Sequence, residues 1–160
     1  MEIRPRITPF LWFNDDAGQA AEFYVSLFEN ARILHVARYG EAGPGPAGSA
    51  MVVTFELDGQ RLMALNGGPD FRFTEAVSLF VDCEDQAEVD RLWAALTAGG
   101  QEQQCGWLKD RFGLSWQIVP RALMEMLGDA EPARAQRVTE AMLKMVKIDV
   151  EGLRRAYEGG

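Results

Sequence analysis

The chain has 160 residues, of which 48% are hydrophobic, enough for one substantial core and too few for two ordinary domains, so a single globular domain is expected. Its formal net charge of -8, without any dense cluster of Lys and Arg, argues against nucleic acid and anionic bilayers as partners. No apolar run reaches the roughly 20 residues that cross a membrane, and the first residues lack a secretory signal, so a cytoplasmic protein is expected.

The first half of the chain predicts a β-α-β-β-β unit. Ile7 to Phe13 is typical of a strand, and Asn14-Asp15-Asp16 can cap a helix that runs through Phe28. Arg32 to Tyr39 is rich in β-branched and aromatic residues and predicts a second strand.

A hairpin completes this unit. The Gly- and Pro-rich segment from Gly40 to Gly48 cannot hold regular structure and predicts a loop. Met51 to Leu57 and Arg61 to Leu65 predict two strands, and Asp58-Gly59 between them is a strong two-residue turn. The predicted first module spans residues 7–67.

The second half repeats this order. Ala76 to Asp82 predicts a strand, and Glu84 and Asp85 mark the start of a helix that runs through Leu96. Apolar residues recur at a constant offset in the two helices, as Ala21, Tyr24, Val25 and Phe28 in the first and Val89, Leu92, Trp93 and Leu96 in the second. Two copies of one unit predict a pseudo-symmetric fold.

Two further strands and three helices follow. Glu102 to Leu108 and Leu114 to Val119 predict strands joined by a turn at Asp110 to Gly113, with Pro120 ending the sheet, so the second module spans residues 75–120. A helical extension over residues 121–158 is predicted as three helices: Ala122 to Leu127, Pro132 to Lys144 and Val150 to Tyr157. The predicted fold class is α+β.

Three segments and the end of the second module carry a family resemblance. The segments are Ile7 to Phe13, Ala64 to Pro69 and Cys105 to Asp110, and the ending is Asp110 to Ile118. With the two repeated units, they resemble the glyoxalase, bleomycin-resistance and dioxygenase (vicinal oxygen chelate) superfamily. Within it they are similar to the PhnB-like branch, also named 3-demethylubiquinone 3-methyltransferase-like, and the resemblance runs to about Tyr157.

The resemblance implies two curled sheet halves that enclose a cavity, with metal ligands on four strands. The matching positions here hold Thr8, Asn66, Ala76 and Gln117. A divalent cation held only by neutral oxygens would keep most of its charge uncompensated, so we expect no metal and no cofactor.

What remains is a cavity with aromatic walls and a few neutral polar groups. A small organic molecule is therefore the expected ligand. The residues show no recognisable catalytic constellation. The predicted ligand-binding residues are Thr8, Phe10, Trp12, Asn66, Ser78, Phe80, Trp107 and Gln117.

Cysteine and histidine offer weaker candidates. Cys105 could be a nucleophile, although a lone Cys is more often a small buried hydrophobe. Cys83 is expected to pack beneath a helix start, and His35 to be a half-exposed strand residue. Two cysteines are too few for a disulfide framework, so reduced thiols are expected.

Two loops have alternative interpretations. Lys109-Asp110-Arg111 could orient an anionic substrate, but a solvated turn with local ion pairs is favoured. The loop containing Gly43 to Gly48 does not fit a phosphate cradle, because Pro44 and Pro46 remove backbone donors that such a cradle needs. It is expected to be a lid over the pocket mouth, because long Gly-rich loops are uncommon without a role.

An enzyme is the alternative to a binding protein. It would be a metal-assisted lyase, isomerase or dioxygenase, or the methyltransferase that the branch's name suggests. No strand leads through a Gly-rich turn into a helix followed by an acidic residue, as a nucleotide-like methyl donor would require. We expect a homodimer, which is compatible with either function, because pairing across a two-fold axis would cover open sheet edges.

Overall fold

The computed structural model describes residues 5–159, and the chain divides after Arg72 into two compact units. The fold class is α+β, as predicted, and each unit begins with four strands and one helix in β-α-β-β-β order. Among the described residues, no helix combines the length and apolarity needed to span a bilayer.

The first unit consists of one mixed sheet with a helix on one side. Its sheet has the order β1-β4-β3-β2, with β1 parallel to β4 and the other pairs antiparallel. The elements are β1 (Phe10–Phe13), α1 (Ala17–Ser26), β2 (Ala31–Arg38), β3 (Ala50–Leu57) and β4 (Gln60–Asn66).

The first strand is shorter than the sequence predicted. It begins at Phe10 rather than Ile7, so Thr8 lies before the strand. The carbonyl of Pro9 accepts a hydrogen bond from the Met63 N–H at 3.0 Å, but proline has no N–H with which to extend the ladder.

Helix α1 begins without the predicted cap. Asp16 stands at the N-cap position, but its side chain accepts no capping hydrogen bond among the described residues. The side chain of Asn66, at the end of β4, accepts instead from the Ala17 N–H at 2.8 Å. The helix is thereby joined to the sheet against which it packs Ala20, Ala21 and Tyr24.

The turns of the first unit follow the sequence. Asp58 and Gly59 both have positive φ, 47° and 86°, as the predicted tight hairpin requires. The segment at 40–48 is irregular, as predicted, and folds onto the buried ring of Tyr39. A Cβ on Gly43 or Gly45 would overlap opposite edges of that ring, so the glycines allow this close packing.

The second unit repeats the arrangement and adds three helices. Its sheet has the order β5-β8-β7-β6, with β5 parallel to β8. The elements are β5 (Ser78–Cys83), α2 (Gln86–Thr97), β6 (Gln101–Glu102), β7 (Trp107–Lys109), β8 (Ser115–Pro120), α3 (Arg121–Leu127), α4 (Pro132–Met142) and α5 (Val150–Glu158).

Helix α2 begins with reciprocal capping bonds. The Asp85 carboxylate accepts from the Glu88 N–H at 2.9 Å, and the Glu88 carboxylate accepts from the Glu84 N–H at 3.3 Å. These bonds satisfy two backbone donors, and Val89, Leu92 and Leu96 of the same helix are fully buried.

The single strand predicted over Glu102 to Leu108 is wrong, because the chain turns between β6 and β7. Cys105 and Gly106 have φ values of 60° and 82°, which are incompatible with a continuous strand. Their N–H groups donate to the carbonyls of Met145 and Val146, both at 2.8 Å. The C-terminal segment thus holds the break in place.

The three C-terminal helices close a second small core. Its buried members are Val119, Leu123, Val138, Ile148 and Leu153. The Gln86 side chain ties this region to α2, donating to the Ile148 carbonyl at 3.0 Å and accepting from the Val150 N–H at 2.7 Å.

Candidate ligand-binding faces

Each sheet has one face covered by its helix and one that is more open. In the first unit, Leu11 and Phe13 are buried on the helix side, whereas Phe10 remains 53% exposed. Because side chains alternate along a strand, Trp12 shares the open face with Phe10. The strand register places Met63 and Leu65 beside them.

Trp12 is held in a fixed position on this face. Its indole N–H donates to the Gly68 carbonyl at 2.9 Å, and the Phe71 ring meets it edge-on at 4.9 Å between centroids. A Cβ on Gly67 would lie 2.4 Å from the indole, so only glycine permits this contact. The ring is a pre-positioned apolar wall.

The structure places Asn66 apart from Phe10 and Trp12. Asn66 pairs with Phe13 and lies on the helix side of the sheet. Its amide is engaged within the fold, accepting from the Ala17 N–H and donating to the Ala50 carbonyl at 3.1 Å. Thr8, half-buried, lies outside β1.

The second unit brings four predicted site residues together. Phe80 on β5 and Trp107 on β7 both pair with Gln117 on the central strand β8, so the three share one face. Phe80 is 49% exposed. The Gln117 amide donates to the Ser78 hydroxyl at 2.9 Å, which fixes its orientation between the two aromatic residues.

A second row of residues lies beside this one, and sequence reasoning missed its central member, Ser115. Ser115 pairs with Ser78 and with Lys109, and all three project on the face of Gln117. Lys109 forms an ion pair with Glu75. The two-residue spacing of Ser115 from Gln117 was the available signal, but the contact of Lys109 with Glu75 has no local signature.

The solvated turn favoured for Lys109 to Arg111 is wrong for its central residue. Asp110 is buried and accepts from the N–H groups of Phe112 and Leu114 at 2.8 and 3.1 Å. It also accepts from the Trp116 indole at 2.9 Å. Asp110 therefore organises the turn, while Arg111 lies over the Phe112 ring at 4.8 Å.

The two thiols occupy different environments. Cys83 is fully buried, and burial raises its pKa to about 12, which favours the neutral thiol. Cys105 is half-buried in the break between β6 and β7, and its role as a nucleophile remains a prediction. His35 is exposed on β2.

Two of the four positions at which the resemblance implies metal ligands, Ala76 and Asn66, do not fit a metal ion here. Ala76 has no donor atom and lies before β5, and the Asn66 amide is engaged on the helix side of its sheet. Within residues 5–159, no group of three or more His, Cys, Asp or Glu side chains could hold a metal ion.

Known proteins resemble the chain at the level of family and fold. The family model described as 3-demethylubiquinone-9 3-methyltransferase matches residues 5–119. The PhnB protein of Bacillus cereus, to which that activity is provisionally assigned, is 37% identical with a TM-score of 0.68, over 72% of this chain and 99% of that one. A search of curated proteins finds no match.

Two other solved structures extend the comparison. Protein PA1353 from Pseudomonas aeruginosa is 24% identical with a TM-score of 0.61, over 73% of this chain and 98% of that one. A Staphylococcus aureus protein is 34% identical with a TM-score of 0.34, over 73% of this chain and 96% of that one.

The fold consists of two successive β-α-β-β-β units with open sheet faces, the arrangement that the resemblance to the glyoxalase, or vicinal oxygen chelate, superfamily implies. The chain belongs to the PhnB-like family described as 3-demethylubiquinone-9 3-methyltransferase. The resemblance to the PhnB-like branch that the sequence indicated is thereby confirmed.

Proposed function

We propose that this protein binds a small planar organic molecule on the open face of its second sheet, without a metal ion. The observation that carries the proposal is the row of Phe80, Gln117 and Trp107 across three adjacent strands. Aromatic side chains on both sides of an oriented amide offer apolar contact together with hydrogen bonding, the usual composition of a small-molecule site.

The first unit supports the same chemistry on its own open face. Phe10 and the fixed indole of Trp12 present aromatic surface there. Thr8 and Asn66, expected as ligand-binding residues, are assigned a smaller part, because Asn66 is engaged within the fold and Thr8 precedes the strand.

Binding of 2-naphthamide, a neutral planar probe, tests the proposal by calorimetry on the full chain. We expect Trp107→Ala and Phe80→Ala each to weaken binding about tenfold, because each removes an aromatic contact worth roughly 1 kcal/mol beyond its area. Met124→Ala, which truncates a side chain of similar exposure on α3, is the control and should have no effect. Unchanged affinity in both aromatic variants, or no binding at all, would contradict the proposal.

The family's name supplies a second candidate, methyl transfer. Titration of the chain with S-adenosylmethionine, alone and with saturating 2-naphthamide, separates the two functions, because a methyl donor held at a site of its own is not displaced by the planar probe. Saturable binding of one donor per chain that 2-naphthamide does not displace would favour the enzyme.

We also propose a cytoplasmic homodimer. Two aromatic side chains, Phe10 and Phe80, are about half exposed on open faces, and β1 and β5 are edge strands of their sheets. A second copy of the chain would cover such surface and such edges. Light scattering should give about twice the chain mass of 17.8 kDa, and a single-chain mass at working concentration would rule the dimer out.

A further inference from the structure

The second row of the open face contains a cation that is neutralised by the chain's own carboxylate. Lys109 on β7 has a side chain that is only 29% exposed, and its ammonium group pairs with Glu75. The Gln103 amide donates to the same carboxylate oxygen at 3.4 Å. Glu75 lies before β5, outside any strand, and its side chain is 48% exposed.

Beside this ion pair lies an unused hydrogen-bonding group. Within residues 5–159, the Ser115 hydroxyl is the one buried side-chain oxygen or nitrogen without a hydrogen-bond partner. Ser115 pairs in register with Lys109 on one side and with Ser78 on the other. A buried hydroxyl without a partner has lost its hydrogen bonds to water, so a ligand that accepts its hydrogen would recover this free energy.

Glu75 is held only weakly in its position beside Lys109. An ion pair at this exposure contributes little to stability, because water screens the two charges and both side chains lose conformational freedom on pairing. Its hydrogen bond with Lys109 lowers the pKa of Glu75, so the carboxylate is ionised at neutral pH and competes with any other anion. A better-placed anion can therefore take its position.

We infer that the ligand of this face carries a carboxylate, which displaces Glu75 from Lys109 and accepts a hydrogen bond from Ser115. The inference rests on the proposed function, since the aromatic row would hold the ligand's planar part. Gln117 of the aromatic row donates a hydrogen bond to Ser78 of the second row, so this pair links the two rows and can orient the ring relative to the acid.

A matched pair of probes isolates the acid. 2-Naphthoate and 2-naphthamide have the same rings and differ in charge at pH 7, and both are titrated into the full chain by calorimetry. We expect naphthoate to bind at least tenfold more tightly, because a hydrogen bond to a charged group is worth more than one between neutral groups.

Removal of the competing carboxylate gives the sharpest test. Glu75→Gln should strengthen naphthoate binding about fivefold and leave naphthamide unchanged, because only the anion competes for Lys109. Lys109→Met should reduce naphthoate to the affinity of naphthamide. Lys147→Met, which removes the partner of Asp90 elsewhere in the same unit, should change neither probe.

Ser115→Ala separates a binding role from a structural one. The substitution removes a hydroxyl that has no partner within the described residues, so we expect no loss of unfolding free energy in urea. Naphthoate affinity should nevertheless fall about threefold. An unchanged naphthoate affinity would exclude Ser115 from the site.

The outcomes distinguish the two proposals. If both probes bind equally and Glu75→Gln has no effect on either, the carboxylate inference is wrong while the aromatic site stands. If neither probe binds, both proposals are overturned. Weaker naphthoate binding in Glu75→Gln would also overturn the inference, since Glu75 would then assist the ligand rather than compete with it.

Discussion

Burial distinguishes the two cysteines at the level of single residues. The neutral, buried thiol of Cys83, with its pKa of about 12, should not react with a disulfide reagent at pH 8. Cys105 is partly accessible, so we expect one fast thiol per native chain and two in guanidinium chloride. Cys105→Ser should abolish the fast reaction, and two fast thiols in the native protein would show that Cys83 is accessible.

Asp110 shows how one buried carboxylate can organise a turn. Asp110→Asn places an amide N–H₂ among three donors that need an acceptor, so we expect the free energy of unfolding to fall by about 2 kcal/mol. Urea denaturation measures the change. Asp58→Asn, in an exposed turn where Asn tolerates positive φ, is the control and should be near neutral.

At the level of elements, Asn66 joins the end of a strand to the start of a helix. Asn66→Ala removes the acceptor for the Ala17 N–H and the donor to the Ala50 carbonyl. We expect a loss of about 1–2 kcal/mol in urea, in the range of helix-cap deletions. Asn14→Ala, at an exposed residue just before α1, should cost much less. Equal losses would mean that the Asn66 bonds contribute nothing.

Local rules predicted much of the candidate site. The two-residue alternation of a strand places Ser78 and Phe80 on one face from sequence alone, and the structure agrees. The same rule could not predict that Asn66 lies on the sheet face covered by α1. That placement follows from the pairing of β4 with β1, about 50 residues earlier. Strand pairing at this distance leaves no periodic trace in the sequence.

The break between β6 and β7 was missed for a similar reason. The sequence around Cys105 reads as a continuous strand, but its N–H groups bond with Met145 and Val146, about 40 residues away. Asp110 was predicted to be solvated because a run of three charged residues usually is. Its hydrogen bond from the Trp116 indole depends on how the turn folds, and the sequence does not reveal it.

At the level of the whole molecule, the shared family region and the C-terminal helices are distinct parts of the sequence. The family model ends at residue 119, and the B. cereus relative is matched over 99% of its length by 72% of this chain. Helices α3 to α5 follow that boundary, yet they pack on Val119, and the segment between α4 and α5 accepts hydrogen bonds from the N–H groups of Cys105 and Gly106.

Truncation of the chain at the end of the region shared with its relatives would not give a stable minimal domain. A truncated protein ending at Pro120 keeps the region that it shares with its relatives, but it exposes Val119 to water. It also leaves the N–H groups of Cys105 and Gly106 without their carbonyl partners. We expect this truncated protein to lack a cooperative unfolding transition in urea and to scatter light on warming, whereas the full chain should unfold cooperatively and should not scatter below its melting temperature. The region that this protein shares with its relatives therefore ends before the region that it needs for a stable fold.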